Sequence, residues 1–205
     1  MRGALLAVLS IAFAGDAAAA AVTFDFGGTI SWASPQLTGT FASGQPIVGS
    51  ITIESTTANT QPAPGLGYFP GAIVAASFTI GSLAYTATGN VQVRDNWNGP
   101  LDQYLFLLYP IGPSVAGYNP SVLQVSLSNS SNPAAIVGDG LPGAGLTLSG
   151  FSGGFDFSLN AGGPNVSTYG ELQSFSAAPV PLPAAAWLLL SGLGGLGLVA
   201  RRKAA

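Results

Sequence analysis

Apolar and polar residues alternate with a period of two along most of the chain, the pattern of strands with one buried face. Val22, Phe24, Phe26, Ile30 and Trp32 take the apolar positions of the first segment, with Thr23, Asp25, Thr29 and Ser31 between them. Ile47, Ile51 and Ile53 alternate with Ser50, Thr52 and Glu54, and Ala76, Phe78 and Ile80 with Ser77 and Thr79. Gly81-Ser82 then predicts a two-residue hairpin turn of type II′, where glycine comes first. Leu83, Tyr85 and Ala87 return along a partner strand, and Gly89-Asn90 reads as a further turn into Val91–Arg94. Leu105–Tyr109 (LFLLY) is a continuous apolar run, expected of a strand covered on both faces. Leu123, Val125 and Leu127, then Phe155, Phe157 and Leu159, resume the alternation, and Leu172–Phe175 suits a last strand. Thr56–Pro70 is read as the longest loop. The pattern predicts about ten short strands and no helix between residues 22 and 179, hence an all-β fold: a single antiparallel β-sandwich or jelly-roll-like domain.

Two segments depart from this pattern. Residues 1–21 have the parts of a secretory signal peptide: Arg2, an apolar run from Leu5 to Phe13, and the small residues Ala17–Ala21, with cleavage expected after Ala20 or Ala21. Ala184–Ala200 is an uncharged apolar run (AAAWLLLSGLGGLGLVA). As a helix it is about 25 Å long, at the short end of what spans a bilayer. Arg201, Arg202 and Lys203 follow it as a stop-transfer cluster expected to stay cytoplasmic, and Trp187 suits the outer interface. Val180-Pro181-Leu182-Pro183-Ala184 stands just before the run, and its two prolines favour an extended, accessible peptide.

Motif, apolar helix and basic tail, in that order behind a signal peptide, resemble the VPLPA variant of the PEP-CTERM sorting signal. Leu182 stands where the family's namesake has Glu. The resemblance implies a substrate of an exosortase, a membrane cysteine protease or transpeptidase, in a Gram-negative bacterium that makes extracellular polysaccharide. It divides the chain into signal peptide (1–21), extracellular β domain (22–179) and sorting region (180–205), the last made of motif 180–184, transmembrane helix 184–200 and basic tail 201–205. The expected location is a membrane-anchored precursor, then the cell surface or a biofilm matrix. Looser fragments within the domain, Gly28–Ile30, Gly49–Ile53, Phe78–Gly81, Val91–Asp102 and Leu123–Leu127, are similar to the extracellular parts of other members and carry no assigned activity.

Composition narrows the chemistry. The chain has no His and no Cys, so Ser-His-Asp and Cys-His nucleophilic sites, Cys or His zinc sites and disulfides are excluded. Only 6% of residues are charged. Between Val22 and Pro179 there is one cation, Arg94, against seven acids (Asp25, Glu54, Asp95, Asp102, Asp139, Asp156 and Glu171), a net charge of −6. Nucleic acid and anionic lipid are poor partners for such a surface.

The densest polar cluster is Arg94–Asp102. Asp95, Asn96, Asn98 and Asp102 offer oxygens that suit Ca2+, and Trp97 offers a face for a sugar ring. The spacing is not that of an EF-hand, and Asp, Asn, Gly and Pro are also what an ordinary turn uses. Tyr68, Phe69, Tyr104 and Tyr109 are further candidate sugar-stacking rings; alternatively they close the ends of the fold. The resulting expectation is a noncatalytic domain associated with extracellular polysaccharide, with exosortase as a transient partner. The competing readings are a carbohydrate-active enzyme with a carboxylate pair and a permanently membrane-anchored structural protein.

Overall fold

The computed structural model describes residues 21–61, 63–96 and 99–179. Residues 1–20 of the segment expected as a signal peptide (1–21), Trp97, Asn98, the motif Val180–Ala184, the apolar run and the basic tail lie outside the described residues. Among the described residues, no helix is long and apolar enough to cross a membrane.

Eight antiparallel strands follow one another: β1 (Ala21–Ala33), β2 (Pro46–Glu54), β3 (Leu66–Ile80), β4 (Leu83–Arg94), β5 (Asp102–Ile111), β6 (Asn119–Asn129), β7 (Ser152–Asn160) and β8 (Val166–Ala177). Each pairs with its neighbour in sequence, and β8 pairs back onto β1 to close the sheet into a barrel. The all-β antiparallel expectation therefore holds, and the sandwich or jelly-roll topology is corrected to a single closed sheet. No connection crosses from one sheet to another, and closure leaves no unpaired edge. The strands are fewer and longer than expected. Glycine and proline were read as turn formers, yet several lie inside strands.

Two such places carry weight. Gly89-Asn90 is not a turn but lies within β4, with Gly89 opposite Leu108 and Asn90 opposite Leu107. A Cβ at Gly89 would collide with the Leu107 carbonyl, so the close approach of β5 requires glycine. Thr56–Pro70 is not one free loop, because Leu66–Phe69 already pairs with Val91–Arg94. The ladder then breaks between Phe69 and Ile73 at Pro70, which has no N–H to donate, and Gly71, whose φ of 74° is in the left-handed region. The Gly81-Ser82 turn is as expected: Ile80 faces Leu83, and φ at Gly81 is 58°.

Inward positions are filled, as the width of an eight-stranded barrel dictates. Phe24, Phe106 and Phe175 form one aromatic layer, with centroids 5.1–6.1 Å apart. Phe78, Tyr85, Phe157 and Phe41 form a second. Small inward residues make room for these rings: Gly49 lies between Phe26 and Phe78 along one ladder row. Outward positions carry Thr, Ser, Gln, Asn and Asp, for example Thr23, Asp25, Thr86, Gln124 and Ser126. That is the reverse of a barrel that faces lipid. The Leu105–Tyr109 run lies in the single closed sheet, with no second sheet over it among the described residues. Phe106 and Leu108 enter the core, Leu105 is buried on the outer side, and Tyr109 is exposed.

The ends of the barrel differ. At the near pole the described chain begins and ends side by side, with the Ala178 N–H donating to the Thr23 carbonyl (2.8 Å). The β2–β3, β4–β5 and β6–β7 connections gather there, and Ile136 of the last is buried in the core. At the far pole the β1–β2 connection, with a 3₁₀ turn at Pro35–Leu37, closes the barrel with the buried Leu37 and Phe41.

The Tyr85 hydroxyl is buried without a hydrogen-bond partner among the described residues. Burial pushes its pKa up to about 12. The unfolded chain, with an ordinary tyrosine near pH 10, releases this proton first, so stability falls as pH rises from about 10 to 12. Tyr85→Phe removes an unpaired buried hydroxyl at little cost in packing. We expect it to unfold at the same or higher urea concentration at pH 7 and to lose less stability than wild type between pH 10 and 12. An unchanged alkaline decline would contradict this.

Candidate functional site

The Arg94–Asp102 segment forms the β4–β5 connection at the near pole, where it is tied to the β6–β7 connection. Asp102, at the inward start of β5, is fully buried. Its Oδ1 accepts the Asn96 N–H (2.9 Å) and its Oδ2 the Ile136 N–H (2.8 Å). Asp95 accepts the Gly138 N–H (2.7 Å) and the Asn96 side-chain amide (2.7 Å), and that amide also donates to the Pro133 carbonyl (2.8 Å). Asn96 sits at φ 53°, a conformation asparagine tolerates better than most residues. Asn59 joins the same knot, donating to Asp139 (2.9 Å) and accepting the Tyr68 N–H (3.0 Å).

These carboxylates face N–H donors. A calcium site needs six or more oxygens converging on one point, and here the acidic oxygens diverge to separate donors. Among the described residues no group of three or more acidic side chains is placed to hold a metal ion. The candidate residues Asp95, Asn96 and Asp102 are thus brought together as a strap between two connections, their carboxylate oxygens each taken by an N–H donor, while Asn98 lies outside the described residues. Burial raises the Tyr104 hydroxyl pKa, helped by the negative charges of Asp102 and then Asp95.

The candidate aromatic rings are dispersed. Phe69 is in the core, and Tyr104 turns inward against Phe151. Tyr68 and Tyr109 meet on the outer wall, where the Asn90 side-chain NH2 donates to both hydroxyls (2.8 and 3.0 Å) and the Asn90 Oδ1 accepts the Gly71 N–H (2.9 Å). That cluster pins the β3 irregularity. Arg94 donates to Gln103 (2.8 Å), whose amide donates to Ser128 (2.8 Å), a chain running along the outer wall.

The structure assembles a different aromatic feature. Trp32 was expected to face the core with Ile30. A bulge at Ser31 changes the parity: Ile30 pairs with Gly170, but Trp32 pairs with Tyr169. Trp32 and Tyr169 therefore stand outside, 43% and 46% exposed, with rings stacked at 5.2 Å and 24°. The buried Thr168 hydroxyl donates to the Trp32 carbonyl (2.9 Å), and Ser34 and Ser167 exchange hydrogen bonds just beyond, so the bulge is fixed from within. Trp32 also lines a cleft of about 550 Å3 at the far pole, between the end of β1 and the β1–β2 connection. A larger depression of about 710 Å3 lies over β1–β4, with Val48 and Ile111 on its rim and Asp25 within it. It has no exposed aromatic ring among its outward residues.

No family model, curated protein or solved structure matches the chain.

Proposed function

We propose that this chain is the exported precursor of a cell-surface or matrix protein, sorted by an exosortase, whose barrel is noncatalytic and associates with extracellular polysaccharide. The observation that carries the reading is the ordered set of Val180–Ala184, the apolar run Ala184–Ala200 and Arg201–Lys203, behind a signal peptide. The signal peptide exports the chain, the apolar segment halts it, and the exosortase acts near Val180–Pro183. Among the described residues, Ala178, two residues before the motif in sequence, donates its N–H to the Thr23 carbonyl.

The noncatalytic reading draws on the acids. A glycosidase needs one carboxylate sheltered enough to stay protonated and a second at a set separation. The one fully buried acid among the described residues, Asp102, spends both oxygens on backbone N–H groups.

The test compares wild type with a Pro181→Ala, Pro183→Ala double variant in a host that has the exosortase. After carbonate extraction, the wild-type barrel is expected in the soluble or extracellular fraction and the variant in the membrane pellet. Equal distribution of the two would overturn the sorting reading, and retention of both would favour the permanently anchored protein.

A further inference from the structure

We propose that the far-pole cleft beside Trp32 is the polysaccharide site, and that it takes a neutral sugar whose ring stacks on the indole. The inference rests on the polysaccharide reading above and moves the site away from the Asp95–Asp102 loop.

Three observations carry it. The first is the indole itself. An aromatic side chain 43% exposed leaves a large apolar face in water. Tyr169 stacks on Trp32 at 5.2 Å, and the bulge backbone is held by Thr168, so the ring is fixed before any ligand arrives. A preformed ring loses little conformational freedom on binding.

The second is the cleft. Its volume of about 550 Å3 is within the range of small-molecule sites. Besides Trp32 its exposed walls include Pro35 and Ala42, which are apolar, and Ser31, Thr38 and Ser43, which carry hydroxyls, with the buried Phe41 beneath them. A lining of apolar surface and neutral donor-acceptor groups matches a pyranose, which has an apolar C–H face and a rim of hydroxyls. No residue lining the cleft is charged, and Arg94, the only cation between Val22 and Pro179, lies on β4 near the opposite pole. Nothing there compensates a uronate or sulfate, so the ligand is neutral.

The third is position. Trp32 is at the far end of β1, whereas the described chain begins and ends at the near pole. The cleft thus lies at the end of the barrel opposite the residues where the described chain begins and ends. Tyr169 is a positioning residue, and Trp32 makes the contact.

The test uses the full chain in a detergent without a sugar headgroup. Binding is measured by calorimetry with cellohexaose, N-acetylchitohexaose and a hexauronate as probes. Wild type is expected to bind at least one neutral probe and not the uronate. Trp32→Ala should weaken that binding by at least about tenfold, Tyr169→Ala by less, and Trp97→Ala should leave it unchanged. Because Trp32 stands outside the core, its variant should keep the wild-type circular dichroism, with the unfolding midpoint lowered only by the lost stacking on Tyr169. If a neutral probe binds but Trp32→Ala binds it equally well, or Trp97→Ala is the variant that loses it, the cleft is not the site and the polysaccharide reading stands. If wild type binds none of the probes, or binds only the uronate, the cleft proposal is overturned together with the reading of a neutral ligand.

Discussion

Asp102→Asn is expected to destabilise the barrel by about 2–4 kcal/mol, read as a lower urea midpoint with an unchanged slope. The carboxylate is fully buried and receives two N–H groups from different connections, Asn96 and Ile136. A hydrogen bond to a charged acceptor contributes about 1.5–3 kcal/mol. The amide keeps one acceptor and turns an NH2 group toward the other N–H, leaving buried donors unsatisfied. Asp102→Ala loses both bonds and should cost more. Amide exchange separates this from a general loss of stability: Ile136 and Gly138 should lose protection before the β6–β7 ladder does. A midpoint shift worth less than about 0.5 kcal/mol would show that the strap does not hold the near pole together.

Gly49→Val is expected to cost about 3 kcal/mol or to prevent folding, because overpacking against backbone cannot be relieved by a rotamer change. A Cβ at Gly49 would lie 2.5 Å from the Ser77 carbonyl oxygen, 2.7 Å from Phe26 Cζ and 2.7 Å from Phe78 Cβ. The phenyl rings can shift, but the Ser77 carbonyl belongs to the ladder between β2 and β3. Gly49→Ala should already destabilise, although alanine lowers the entropy of the unfolded chain and would otherwise help. Gly143→Ala is the control: nothing lies within 4 Å of its Cβ position, so its urea midpoint should match wild type. A tolerated valine at Gly49 would mean that the two aromatic layers are not packed as described.

The facing of β2, β6 and β7 can be read directly from alternation. Ile47, Ile51 and Ile53, then Leu123, Val125 and Leu127, then Phe155, Phe157 and Leu159 are all buried. What alternation cannot show is a change of parity. The Ser31 bulge leaves no mark in the pattern Ile30-Ser31-Trp32, so Trp32 reads as core and stands outside. Closure was hidden for a related reason. The pairing of β1 with β8 joins residues at opposite ends of the domain, and only three-dimensional packing selects a closed sheet over two facing ones. Residues 130–151 have little periodicity, yet Ile136 reaches the core and the segment supplies the partners of Asp95 and Asp102. The acids themselves were conspicuous in the sequence. Their partners were not, because backbone N–H groups carry no sequence signature, and the cluster therefore reads as a ligand loop.

Glycine has two uses in this chain. Gly81 and Gly71 take positive φ at a turn and a ladder break, as composition suggests. Gly49 and Gly89 instead sit within strands where another element approaches too closely for a side chain. Counting both kinds as turns yields more, shorter strands than the barrel contains.

The most direct measurement of the central claim is the intact mass of the mature protein from cells with and without the exosortase. The account predicts a mass in the presence of the enzyme that lacks the apolar run Ala184–Ala200 and the basic tail, with the new C terminus within or beside Val180–Pro183. Without the enzyme, the mass should still include the apolar run and the basic tail. An identical C-terminal tail in both cells would contradict it.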